Sequence, residues 1–463
     1  MIGSKTFTIG SENFLAGMAT AADASDGGFS PETDAVNLIA QPGVLNAPAA
    51  PTDKSTNLTG DIIASCEDPQ ILGAQRCFLA TDGTFYTSNS AGDLTLKRTD
   101  GASTYAAGFS HMAGYAGAVF ATSKEKIAKW VVDSSFTAGY ATFTNSGVPH
   151  PVLSAFGNIY YGDKNLLLRQ QGVGGAPTTI LTLSSELCIV ALGFDPGSGQ
   201  ILISTTTQLN ISDSVPTINQ VHVYDGSTGN TLRAPFVDDM VTALYPTATT
   251  VFAGFGTSFG YWTGSGVQQL RALNVAQSQS ELPYRQHFTN IGSTAYVVEK
   301  TQILAYGPVR AGLEKVFYYP FKNNVNSNSL THICNMGSGL LGIAFSSSKF
   351  YTFDTKSIAS TNTQAFYSRW YEFDSEVWVR EIWVYYKSGV ASNASPGNLY
   401  FNSDSDSGFN TPYSLQNKSG ATEYIHKITG LKDKLSSTKL RLNLDTTIAG
   451  IRKIVVRFDP ANT

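Results

Sequence analysis

Asp404 and Asp406, in the stretch "NSDSDSG", come nearest to a metal-ligand pattern in this sequence. Carboxylates at alternate positions beside a glycine let oxygen ligands converge on calcium. A calcium loop closes on an acidic residue at its far end, and here "FNTPYSL" follows. The stretch therefore reads as a polar hairpin, with Asp404 and Asp406 as weak metal candidates. Glycoside hydrolysis needs two convergent carboxylates. Asp238, Asp239, Glu372, Asp374 and Glu376 supply acids without a recognisable frame. The histidines, His111, His150, His222, His287, His332 and His426, lie far apart, outside any GxSxG or HExxH context. No catalytic residue and no cofactor is assigned, and the chain reads as a non-enzyme.

Two related stretches, "GFDPGSGQILIS" from Gly193 and "VYDGSTGNTLRA", each set an aspartate (Asp195, Asp225) before a Gly/Ser-rich turn. An aspartate there hydrogen-bonds its own backbone while glycine supplies positive φ, so both read as structural turns between strands. "YDGSTGNTL" also resembles the turn of quinoprotein-type propeller blades. That pattern continues with a tryptophan, whereas Arg233 and Ala234 stand here, and no quinone cofactor is implied. The aromatic-rich loop "FGTSFGYWTGSG" presents Tyr261 and Trp262 as platforms on which a sugar ring could stack. The four cysteines, Cys66, Cys77, Cys188 and Cys334, fit no zinc spacing, and a Cys66–Cys77 bridge is left open.

The elements that would carry these residues are strands. Only 14% of the 463 residues are charged, with 22 Tyr and 26 Phe, and turns are marked by Gly, Ser, Thr and Asn. Such composition belongs to all-β proteins. From residue 61 to 368 a rhythm recurs: a short apolar strand, a polar turn, then an amphipathic strand. "RCFLATDGTFYTSN", "AGAVFATSKEKIAKWVV" and "TVFAGFGTSFGYWTGSGVQQLR" are examples. About six or seven such units predict a divergent β-propeller. Residues 369–463 open on a long alternating strand carrying Val377, Val379, Ile382, Val384 and Tyr386. They close on "GIRKIVVRFD", and predict an antiparallel β-sandwich.

Residues 1–60 differ, being rich in Ala, Gly, Pro, Asp and Thr. They read as an extended N-terminal arm that orders against another surface. Val36, Leu38, Ile39, Val44 and Leu45 in "AVNLIAQPGVL" are its expected assembly contacts. The net charge of -4 offers no basic footprint for nucleic acid. No apolar window is long enough to span a bilayer, and "MIGSKTFTIGSENF" lacks a secretory design, so a soluble, unexported chain is expected.

The arm text "GGFSPETDAVNLIAQPGVLNAP", the strand text "WYEFDSEVWVREIWVYY", then "NLYFNSDSDSGF" and "IRKIVVRFD", resemble the hub or nozzle proteins of tailed bacteriophages. The likeness extends over the whole architecture of arm, propeller and C-terminal β-domain. It implies a virion structural protein assembled in the host cytoplasm as a homo-oligomeric ring, usually a hexamer, in contact with other tail proteins. DNA would pass such a ring without sequence-specific binding. The alternative reading is a carbohydrate-binding or host-recognition propeller using Tyr261 and Trp262, and the third is a divergent propeller glycoside hydrolase.

Overall fold

A computed structural model of the chain describes residues 5–9, 39–41, 44–46, 51–66, 76–101, 104–132, 134–209, 217–227, 229–273, 284–292, 294–299, 302–307, 317–322, 329–355, 364–367, 371–387, 397–403, 413–415, 423–431, 436–446 and 450–460. Among them are 37 strands, one single-turn 3-10 helix and no α-helix. The chain divides into two compact units. One is Thr52–Thr301 with Asn326–Phe353; the other is Met1–Pro51 with Gln302–Val325 and Asp354–Thr463.

Seven small antiparallel sheets occur among the described residues, six of four strands and one of three. Their first strands are Ile62–Cys66, Met112–Tyr115, Val152–Ala155, Cys188–Asp195, Val241–Pro246, Phe288–Ile291 and Leu330–Gly337. Residues from all seven line one central cavity. The fold is a β-propeller, and the sheets are its blades. Each hairpin unit has two apolar faces that it cannot bury alone, so the cores form between neighbouring blades. Between the first and second blades, Phe85 meets Trp130 edge-on at 5.8 Å. Between the fourth and fifth, Leu202 and Val223 pack with Leu244, Val251 and Trp262.

The seventh blade takes its outermost strand from the other end of the sequence. Thr52–Asp53 pairs with Lys349–Asp354 in the register Tyr351↔Asp53 and Thr352↔Thr52. Ser55 fixes the join: its hydroxyl accepts from the Phe350 N–H at 3.0 Å, and Phe350 O accepts from Lys54 N–H at 2.8 Å. Residues 52–60, expected in the arm, thus belong to the propeller.

The fourth blade has three regular strands. Where a fourth would lie, the chain over 232–237 runs along Asn219–Tyr224 with only two isolated bridges, Gln220↔Phe236 and Val223↔Arg233. Pro235 has no N–H to give a ladder, although its carbonyl accepts from Val221 N–H at 3.1 Å.

The other unit holds a branched, ten-stranded hydrogen-bonded network. Its long strand Tyr371–Lys387 pairs with Gly450–Pro460, Ser436–Thr446 and Glu423–Ile428. Val377 and Val379 are buried, then Ile382, Val384 and Tyr386. That one-residue slip in the alternation is a β-bulge between Val379 and Glu381. The arm's strands join this network: Lys5–Ile9 pairs with Gly450–Pro460, and Ile39–Gln41 pairs with Val44–Asn46, which also meets Ile451 and Gly450. The surface that orders this part of the arm is the chain's own C-terminal sheet.

Candidate functional site

The first strand of each blade runs along the axis, so residues scattered through the sequence meet there. The cavity they enclose has a volume of about 370 Å³. Its described lining includes Arg76, Arg285, His111 and His332 and contains no Asp or Glu. The 3-10 turn Arg285–His287 precedes the sixth blade's first strand and contacts Val241–Pro246, Leu330–Gly337 and Ile62–Cys66. Tyr284, buried against Val190 and Met240, anchors the turn. Gly108, with φ of 76°, permits the approach, because a Cβ there would lie 2.7 Å from the Tyr284 ring.

Arg285 donates from Nη1 to Leu244 O at 3.1 Å and to Leu192 O at 3.5 Å, with its guanidinium 5.8 Å from the Tyr245 ring centre. Desolvation lowers its pKa, and proximity to Tyr245 offsets that in part. Gly193 makes room for this arrangement: a Cβ on it would sit 2.6 Å from Leu244 Cβ. Arg76, 6% exposed, donates from Nε to Asn335 O.

Gln286 is 5% exposed, and neither its amide nitrogen nor its amide oxygen has a hydrogen-bond partner in the protein. His111, equally buried, has no partner at Nε2. Burial first, then the charge of Arg285 and the neighbouring His150, lowers its pKa from 6.5 to about 3. His332 Nε2 lies 2.7 Å from Ser65 Oγ, and burial, then His287, lowers its pKa to about 3. Both imidazoles are therefore neutral at pH 7.

The residues singled out in the sequence fall elsewhere. Asp404, Asp406, Val36 and Leu38 lie outside the described residues, and nothing is described of the side chains of Ile39, Val44 and Leu45. The backbones of those three lie in the in-chain pairings Ile39↔Asn46, Gln41↔Val44 and Ala40↔Leu45. Trp262 is 6% exposed and packs in an inter-blade core, so its ring offers no face to a sugar. Tyr261 is half-buried, and its hydroxyl donates to Gln268 Oε1. Asp195 accepts from Gly197 N–H at 3.0 Å and Ser198 Oγ at 2.7 Å, and Asp225 from Ser227 N–H at 2.9 Å; both are the expected turns. Cys66 and Cys77 face each other across adjacent strands as buried thiols, and no disulfide joins them. His150 stacks on Phe143 at 3.7 Å with both ring nitrogens against backbone carbonyls, and His222 meets Thr205 Oγ1 at 3.1 Å. Asp238, Asp239 and Glu376 are exposed. Among the described residues no group of three His, Cys, Asp or Glu is placed to hold a metal ion.

The axial cluster went unseen in the sequence. Its one local signal is "YRQH", a polar run directly before an apolar strand.

No protein-family model and no curated protein matches this chain. Among solved structures, it is similar to the WD40 domain of Neurospora crassa Pan2, at 10% identity and a TM-score of 0.45, covering 65% of this chain and 90% of that one. It is also similar to the WD40 β-propeller domain of Doa1, at 9% identity and a TM-score of 0.42, covering 67% and 96%. A third is YCF48 bound to D1 peptide, at 7% identity and a TM-score of 0.45, covering 65% and 95%. The propeller assignment rests on this chain's own sheets. Among the described residues no helix is long and apolar enough to cross a membrane.

Proposed function

We propose that this chain is a structural subunit of a bacteriophage tail, a hub- or nozzle-like component that assembles with copies of itself and with other tail proteins. Assembly in the host cytoplasm and a place in the virion are part of the reading, as is a ring, a hexamer by the resemblance. The observation that carries it is the outer edge of the fourth blade. There Leu232 is 54% exposed and Phe236 72%, on a blade edge that Pro235 keeps from forming a regular strand. Two large apolar side chains left exposed within one short edge segment are what the surface of another protein would cover. A proline-interrupted edge also resists indiscriminate strand pairing.

The alternative readings draw less support from the structure. Trp262 is a core residue, which leaves only the half-buried Tyr261 of the two rings named for glycan stacking. The described lining of the axis carries no carboxylate pair for a glycosidase. The test is quantitative mass spectrometry of density-purified virus particles from the source culture. A copy number that is a small ring multiple relative to the capsid protein is expected. Absence from particles overturns the tail reading.

A further inference from the structure

We propose that the axial cavity of the propeller is a binding site for a small organic anion, gripped through a carboxylate or phosphate oxyanion. The inference is independent of the tail reading, because every residue it uses lies within Thr52–Thr301 and Asn326–Phe353. A volume of about 370 Å³ falls in the range of small-molecule sites.

The lining offers Arg285 no countercharge, because its described residues include no Asp or Glu. Arg285 is held by neutral groups alone among the described residues, the carbonyls of Leu192 and Leu244 and the face of Tyr245. These contacts fix its direction without neutralising it. An oxyanion supplies what is missing, since paired N–H···O⁻ contacts to guanidinium are the strongest hydrogen bonds available to it.

The uncharged groups beside it are pre-arranged and unused. Gln286 follows Arg285 on the same 3-10 turn, and both ends of its amide lack protein partners. His111 Nε2 also lacks one, and Arg285 is near enough to depress that imidazole's pKa. Buried polar groups left unmatched cost stability, and a native chain matches them with water, an ion or a ligand. A guanidinium, an amide offering both a donor and an acceptor, and a neutral imidazole form a set for an anion that also carries a hydroxyl, carbonyl or second acid group.

The test uses the full chain, with thermal melting and isothermal titration calorimetry against inorganic phosphate and, separately, succinate, each up to about 20 mM. Sodium chloride at equal ionic strength is the control. A saturable rise in Tm and a heat of binding with at least one of the two is expected. Phosphate alone, or succinate alone, identifies the oxyanion source. Arg285→Met should abolish binding. Should that variant fail to fold, Gln286→Leu decides the matter: it removes two unmatched atoms, so the ligand-free Tm should hold or rise while affinity falls about tenfold. Neither anion acting beyond chloride, or a Gln286→Leu chain binding as tightly as the parent, overturns the proposal.

Discussion

His111 and His332 are the residues at which acid should act. Each has a pKa near 3 in the folded chain against 6.5 for an unperturbed histidine, chiefly through burial. Arg285 and His150 face the first, and His287 the second. A lowered histidine pKa means that between these values the unfolded chain takes up a proton the folded chain refuses. Their contribution is intact above about pH 6.5 and is lost as the pH falls toward 3. At about pH 4.5, two units below the unfolded value, the loss is on the order of 2–3 kcal/mol for each histidine. Urea titrations at pH 7 and 4.5 should show it, and His111→Asn with His332→Asn should flatten the slope; an unchanged slope removes the effect. Gly193 makes a second, steric case. Gly193→Ala would drive a methyl group to 2.6 Å from Leu244 Cβ, beside the carbonyls that hold Arg285. A destabilisation of about 1–3 kcal/mol is expected in urea, where an unchanged midpoint would show that the inner strands can slide apart. Trp262→Ala should cost about 3–5 kcal/mol as a core truncation. It is accordingly a poor probe of glycan binding.

At the scale of elements, the closing strand separates two truncations that look alike on paper. Removing residues 1–50 leaves Thr52–Asp53 paired with Lys349–Asp354, whereas removing 1–60 strips that strand and the Thr59 contact to the Tyr86 hydroxyl, 2.8 Å away. The longer truncation should lower the Tm of the propeller transition by about 5 °C or more beyond the shorter one. Identical melting would show that the blade closes without its last strand. This strand also marks where the sequence stops being legible. Strands such as Ala118–Thr122 and Lys126–Val131 could be read from alternation and turn residues, because both signals are local. The bulge in Tyr371–Lys387 was written in the phase of its valines and Ile382. Closure was hidden because Ser55 and Phe350 stand 295 positions apart, and the count of blades was blurred where Pro235 replaces an outer strand. The axial cluster was hidden for the same reason, since Arg76, His111, Arg285 and His332 become neighbours only when the first strands gather.

For the molecule as an assembling unit, the decisive quantity is whether the fourth blade's edge is covered by another copy. A ring closes through a heterologous contact, in which one patch on each copy meets a different patch on the next. Leu232 and Phe236 are exposed and sit outside the inter-blade cores, so Leu232→Ser with Phe236→Ser should change folding stability by no more than about 0.5 kcal/mol. The same pair should lower the association state if the edge is the contact, because apolar area removed from water drives such interfaces. Sedimentation velocity across a concentration series tests both halves together with a urea titration. The parent chain should sediment as a closed oligomer that grows no further as concentration rises, and the double variant as a smaller species of equal stability. A parent that stays monomeric throughout removes self-assembly through this edge. A parent that elongates without limit would mean that the rotation between copies does not close, leaving a filament where a ring is proposed.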